Sequence, residues 1–365
     1  MPELDAACAS LFAVGFDGLD PSPEVRELLR RGVSGAVLFA RNVESPEQVA
    51  ALSAGLKHAA RRPFLLSVDQ EGGRVMRLRA AHGFTELPAM RTLGTTGDAA
   101  LARGIGALLG RELRAVGIDQ DFAPVVDVDT NPKNPVIGDR SLSRDPAEVA
   151  RLGAALVRGI QSAGVAACAK HFPGHGDTLQ DSHLELPRLP HDLSRLRAVE
   201  LPPFRAAAAA GVASVMTAHV VFEPLDAAWP ATMSAPVLRL LREECGFRGA
   251  VVSDDLEMQA VAAHFPLEEA VPAAVNAGAD LLLVCHRAEA QHRAIDALRR
   301  AVERGVVSRE RLAEARGRAA ALLRWAGPPP DPRQAVARLR TPEHLALAAR
   351  LPPAGAGADP TAKQA

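Results

Sequence analysis

Short apolar runs alternate with longer amphipathic stretches along almost the whole chain. The runs Leu11–Phe16, Gly35–Phe39, Phe64–Val68, Phe122–Val128, Val165–Ala169, Ser214–Ala218, Ala250–Ser253 and Asp280–Cys285 predict strands. Between them a helical spacing of apolar positions predicts helices over Pro23–Arg31, Pro46–Ala60, Ala99–Val116, Pro146–Ala163, Leu193–Ala210, Ala235–Glu244, Leu267–Asn276 and Glu310–Trp325. The strands are apolar at nearly every position. That suits a parallel sheet covered by helices and not an antiparallel sheet with one wet face. Strand and helix alternating in this way predict an α/β fold of the (β/α)8, TIM-barrel type.

A doubly wound nucleotide-binding sheet is the alternative, but its glycine fingerprint is missing. Gly104-Ile-Gly106-Ala-Leu-Leu-Gly110 has one residue too many and falls inside a predicted helix instead of after a strand. The barrel is expected to occupy residues 1–326 as a single domain. A Pro/Ala/Gly-rich tail, 327–365, begins at Gly327-Pro-Pro-Pro-Asp-Pro, has a weak helical stretch near Pro342–Arg350, and is expected to be disordered from Pro352 onward.

Composition narrows the class. The 365 residues carry 42 Lys+Arg against 43 Asp+Glu, which gives no bulk field to hold a nucleic acid or a membrane surface. No apolar run is long enough to span a bilayer, and the first residues lack the basic, then apolar, pattern of an export signal. Cys8, Cys168, Cys245 and Cys285 are widely spaced and read as free buried thiols. A cytoplasmic, monomeric protein with no cofactor and no metal is the expectation.

Polar residues cluster where the middle strands end, and that is the catalytic end of such a barrel. Strand 3 ends in Asp69-Gln-Glu-Gly-Gly-Arg74-Val-Met-Arg77. Strand 4 ends in Asp127-Val-Asp129 and leads to Gly138-Asp-Arg140-Ser141. Strand 6 ends in Thr217-Ala-His219 and strand 7 in Ser253-Asp254-Asp255. The densest stretch follows strand 5. Lys170-His-Phe-Pro-Gly-His-Gly-Asp-Thr-Leu-Gln-Asp-Ser-His183 packs three His and two Asp among turn-forming residues. Asp69, Arg77, Arg140 and Lys170 can hydrogen-bond a ligand rich in hydroxyls. Gly72 and Gly73 would let backbone approach that ligand, although a tight turn alone would also use them. Asp254 could stabilise or attack an electron-poor anomeric carbon, with Asp255 capping the next helix. Asp181 and His183, two apart, lie on one side of an extended segment, so the acid can orient an imidazole that moves protons near neutral pH.

These residues closely resemble the motifs of the family 3 glycoside hydrolases, and in particular of their β-N-acetylglucosaminidase branch. The resemblance runs from about Phe12 to Trp325. It implies a retaining exo-acting hydrolase of terminal β-linked N-acetylglucosamine, with cell-wall fragments ending in an anhydro-muramic sugar as substrates. By position it implies Asp254 as nucleophile and His183 as general acid/base partnered by Asp181. It implies Asp69, Arg77, Arg140, Lys170 and His171 as residues that bind the sugar, while His175, in the turn Pro173 through Gly176, reads as structural. Many family members take their acid/base carboxylate from a second domain. The forty or so residues after Trp325 are too few to build one, so the donor must come from the barrel.

A phosphorylase on the same scaffold is an alternative, since a neutral imidazole tolerates an incoming anion. Others are a metal-dependent hydrolase using His171, His175, His183 and His219, substrate-assisted chemistry through Asp127-Val-Asp129, and an inactive sugar-binding scaffold. The loop carrying Asp181 and His183 must return over the barrel mouth to face Asp254, and is expected to be mobile.

Overall fold

The computed structural model describes residues 2–179 and 185–352. Eight parallel strands close into a barrel: β1 (Phe12–Val14), β2 (Gly35–Leu38), β3 (Leu65–Val68), β4 (Gln120–Asp121), β5 (Ala166–Phe172), β6 (Ser214–Thr217), β7 (Ala250–Asp255) and β8 (Leu281–Val284). Each pairs with its neighbours in sequence, and β1 pairs with β8 to complete the ring. The helices start where the sequence supplies a cap and a proline. Ser45 accepts the Gln48 N–H ahead of Pro46, and Asp145 accepts the Ala147 N–H ahead of Pro146.

Alternation along the strands sorts side chains into two cores. Ala13, Val37, Leu65, Phe122, Ala166, Cys168, Met216, Ala250, Val252, Leu281 and Leu283 fill the inside of the barrel, while Phe12, Ala36, Leu66, Ala167, Val215, Val251 and Leu282 pack outward against the helices. The same period of two carries the inward positions onward to Lys170 after Ala166 and Cys168, and to Asp254 after Ala250 and Val252.

Strand 4 departs from expectation. Its regular ladder covers Gln120–Asp121 and not Phe122–Val128. Beyond it Pro124 has no N–H to donate, and the chain stays beside β5 through irregular bonds such as Lys170 N–H to Pro124 O (3.2 Å) and Val126 N–H to Lys170 O (2.8 Å). An apolar-run criterion misses Gln120 and Asp121 because they are polar yet fully buried. Inside the barrel Gln120 bonds the hydroxyls of Ser67 and Ser214, each at 2.8 Å.

The glycines of the rejected nucleotide fingerprint have a packing role. A Cβ on Gly106 would lie 2.5 Å from Leu156 O, and one on Gly159 2.2 Å from Arg103 O, so the helices Ala99–Ala115 and Pro146–Ser162 meet backbone to backbone. Past the helix Arg309–Leu322 the chain lies against the barrel as far as 352. Asp119 Oδ1 accepts the Gly327 N–H at 2.8 Å, and a short helix, Pro342–Ala348, brings His344 Nδ1 within 3.0 Å of buried Glu112. The stretch from 353, expected to be disordered, lies outside the described residues. All four cysteines are free and buried.

Candidate active site

One cavity at the C-terminal end of the strands is lined by Asp69, Arg77, Arg140, Lys170, His171 and Asp254, over an apolar floor that includes Val37, Phe122, Met216 and Leu283. Six of the eight residues singled out in the sequence are thus brought together. Asp181 and His183 lie outside the described residues, and with them the expected closure of their loop.

The base of the cavity is an ion cluster organised by a residue that sequence reasoning passed over, Glu71. Arg140 donates to it in bidentate fashion, Nη2 to Oε1 at 2.8 Å and Nε to Oε2 at 2.9 Å. Lys170 Nζ sits 2.7 Å from Glu71 Oε1 and 2.6 Å from Asp69 Oδ1. Arg77 Nη2 is 3.5 Å from Asp69 Oδ2. Burial alone would push the Glu71 carboxyl up, but the Arg140 and Lys170 charges outweigh it and hold it well below the carboxylate range. Burial likewise opposes the Lys170 charge, and Asp69 and Glu71 more than restore it. Glu71, Arg140 and Lys170 thus favour one another's charged forms. Asp69, less buried than Glu71, is the member that can turn lone pairs toward a ligand.

The turn that presents Asp69 and Arg77 is held by Gln70, another residue that was overlooked. Its amide accepts the Arg77 and Leu78 N–H groups and donates to Leu78 O at 2.7 Å. Gly72 and Gly73 serve this turn. Their φ values are +103° and +60°, and added Cβ atoms would come within 2.9 Å of Pro88 O and 2.6 Å of Ala89 Cα. The signal was present as the run Asp-Gln-Glu-Gly-Gly, but only the fold says which member faces which way.

His171 is oriented by buried Asp127, whose Oδ2 lies 2.7 Å from His171 Nδ1 and whose carboxylate also accepts the His171 and His175 backbone N–H groups. Burial would raise the Asp127 carboxyl, yet the charge and hydrogen bond of His171 bring it below its ordinary value. An ionised Asp127 only accepts, so His171 Nδ1 is the donor in this contact. His175, T-shaped against His171, has its Nδ1 2.9 Å from Thr178 Oγ1; burial lowers its pKa to about 4 and keeps the ring neutral.

The two acids of strand 7 divide their tasks. Asp255 is buried, accepting the Glu257 and Cys285 N–H groups on Oδ1 with His286 Nε2 3.0 Å from Oδ2. Asp254 is only partly buried, lines the cavity, and accepts the Asp255 N–H on Oδ1 at 2.8 Å. Asp255 therefore fixes the end of β7 while Asp254 faces the space a ligand would enter.

These contacts weaken two alternatives. Asp127 is committed to His171 and to backbone, and Asp129 to Arg91 at 2.8 Å and Arg144 at 3.3 Å, so neither is placed to polarise an acetamido group. His219 is buried between Thr232 Oγ1 and Asp255 O, and among the described residues no group of three His, Cys, Asp or Glu side chains has metal-site geometry. Nor, among those residues, is any helix long and apolar enough to cross a membrane.

Residues 3–322 match the glycosyl hydrolase family 3 N-terminal domain. A β-hexosaminidase of Alkalilimnicola ehrlichii is 44% identical over 285 residues, covering 76% of this chain and 81% of its own. A family 3 β-N-acetylglucosaminidase from Paenibacillus superposes with a TM-score of 0.88 at 45% identity, covering 95% of this chain and 68% of its own. NagZ from Neisseria gonorrhoeae, solved in complex with N-trifluoroacetyl-D-glucosamine, gives 0.77 at 35% identity over 93% of this chain and 96% of its own. These relatives bear hydrolase names and lend a phosphorylase no support. The chain belongs to glycoside hydrolase family 3, as a glycoside hydrolase of the β-hexosaminidase type.

Proposed function

We propose that this enzyme removes terminal β-linked N-acetylglucosamine with retention of configuration, Asp254 acting as nucleophile and His183, partnered by Asp181, as general acid and then base. The observation that carries the reading is the place of Asp254, at the end of β7 and on the wall of the cavity. It lines that cavity together with Asp69, Arg77, Arg140, Lys170 and His171, whereas its neighbour Asp255 is buried and accepts the Glu257 and Cys285 N–H groups. Asp69, Arg77, Arg140, Lys170 and His171 hold the sugar hydroxyls and fix the anomeric carbon over Asp254. Protonated His183 gives its proton to the leaving oxygen as Asp254 attacks. Neutral His183 then takes a proton from the water that releases the sugar.

The names of the Paenibacillus enzyme and of NagZ support N-acetylglucosamine as the sugar. We extend this to cell-wall fragments that carry N-acetylglucosamine on an anhydro-muramic sugar, handled in the cytoplasm by the barrel, 1–326, with 327–365 outside the chemistry. Hydrolysis of p-nitrophenyl β-N-acetylglucosaminide by wild type, Asp254→Ala and His183→Ala tests the assignment. Losses of at least about a hundredfold in both variants are expected, together with a glycosyl ester trapped on Asp254 by a 2-fluoro sugar. Variants that matched wild type, or a trapped ester elsewhere, would end the proposal.

A further inference from the structure

The chain leaves the site at Asp177 and returns at His191, and these two residues meet. Asp177 Oδ1 accepts a hydrogen bond from Thr130 Oγ1 at 2.7 Å, while Oδ2 lies 2.9 Å from His191 Nε2, close although not well aligned as a hydrogen bond. Each end is also tied to the barrel separately. On the outgoing side, Asn131 Nδ2 reaches the carbonyls of Asp177 and Thr178, and Asn134 Nδ2 donates to His175 O at 2.8 Å. On the return, Arg188–Leu189 pairs in parallel with Val221–Phe222. Arg195, one turn beyond His191, donates to Thr130 Oγ1 at 3.3 Å and pairs with Glu200 at 3.0 Å. Apart from His175 none of these residues lines the cavity, and the proposed chemistry uses none of them.

We propose that Asp177 and His191 are positioning residues, a clamp that joins the two ends of the segment 178–190 and so sets where the proton donor it carries can stand. The inference rests on the assignment of His183 as general acid, because residue 183 lies between the clamped ends. Burial and the neighbouring Arg195 lower the His191 pKa, so near neutral pH the ring is uncharged and presents Nε2–H to the Asp177 carboxylate. The contact is thus an anion facing a neutral dipole. Leucine at 191 removes the donor and keeps the bulk, and glutamine restores an N–H at a similar reach.

The readout is the leaving group. A 2,4-dinitrophenyl glycoside departs without help, whereas an alkyl glycoside needs its oxygen protonated. His191→Leu should lower kcat on the alkyl substrate by about tenfold to a hundredfold, leave the dinitrophenyl substrate within about twofold and leave KM unchanged. His191→Gln should recover most of the loss. Amide hydrogen exchange across 178–190 should rise in His191→Leu and Asp177→Ala and not in His191→Gln. Equal losses on both substrates, or unchanged exchange, would overturn the clamp. His183→Ala, run on the same pair, separates the two ideas. If it lacks leaving-group dependence while exchange still responds to His191→Leu, the acid assignment falls and the clamp stands as a structural tie.

Discussion

Glu71 takes both arms of the Arg140 guanidinium at 2.8 and 2.9 Å and, through the same Oε1, holds Lys170 at 2.7 Å. One buried carboxylate thus fixes two cations that face the sugar-binding space. Glu71→Gln leaves those cations with half their compensation in a place water does not reach. Removing one partner of such a pair costs about 3–5 kcal/mol, so a clear drop in the denaturation midpoint is expected. Because Lys170 and Arg140 lose their reference point, KM for an aryl N-acetylglucosaminide should rise more than kcat falls. A variant of wild-type stability with unchanged KM would show that the cluster does not depend on Glu71. The sign with pH follows from the depressed Glu71 pKa: its contribution is intact above the ordinary glutamate range and is lost as acid titrates it below that range.

Asp127 acts one layer behind the ligand. In Asp127→Asn only Oδ1 can still accept, and the amide nitrogen facing His171 Nδ1 is a donor. The ring must then flip or move its proton to Nε2, which changes what the cavity meets from His171. A loss of about 10–100-fold in kcat/KM is expected, with the altered tautomer visible by nitrogen NMR of the labelled ring. Full activity with the proton still on Nδ1 would refute this role.

The eight-strand barrel was legible because its signal is local, an apolar run followed by an amphipathic helix, repeated. Inward alternation extended the signal into the site, so Lys170 and Asp254 could be found from parity at the ends of β5 and β7. Glu71, Gln70 and Asp127 could not be ranked in the same way. For Glu71 and Asp127 the partners Arg140 and His171 lie 69 and 44 residues away, and nothing in the local pattern tells a buried organiser from an exposed acid. Strand 4 slipped for a related reason. Gln120 and Asp121 look like loop residues until the barrel interior supplies Ser67, Ser214 and the Gln70 N–H as partners.

Two buried groups beside the strand-5 loop give stability opposite dependences on pH. The pKa of His175 is lowered to about 4 by burial and by His171, from 6.5. Its contribution is whole above pH 6.5 and is lost as pH falls toward 4. Glu200 goes the other way. Burial raises its pKa to about 7 from 4.5 against the pull of Arg195, so its contribution is whole below pH 4.5 and is lost as pH rises through 7. Glu200→Gln should therefore gain on wild type between pH 5 and 8, by an amount on the order of 1–3 kcal/mol. His175→Gln should gain on it between pH 6.5 and 4. Urea midpoints at pH 4.5, 6 and 8 would show both trends, and parallel curves for all three proteins would remove both assignments.

Gly176 tests whether the loop's base must rest on the strand-4 extension. Its φ is not in the left-handed region, so any residue could adopt the backbone there, and the constraint is steric alone. A Cβ would sit 1.8 Å from Val128 O, and that carbonyl belongs to backbone which Asp127 and the Ser143 carbonyl already hold in place. Neither side can yield by a rotamer change, so the loop must lift. Gly176→Ala should lose at least about tenfold in kcat and between about 1 and 3 kcal/mol of stability, because Asp177 one residue on would be drawn away from Thr130. Gly317→Ala supplies the matched control. It lies in the helix Arg309–Leu322 with nothing within 4 Å of the added carbon, and alanine there should raise stability by about 0.5–1 kcal/mol and leave kcat unchanged. If Gly176→Ala behaved like Gly317→Ala, the contact with Val128 would be incidental and the loop would owe its position to its side-chain ties alone.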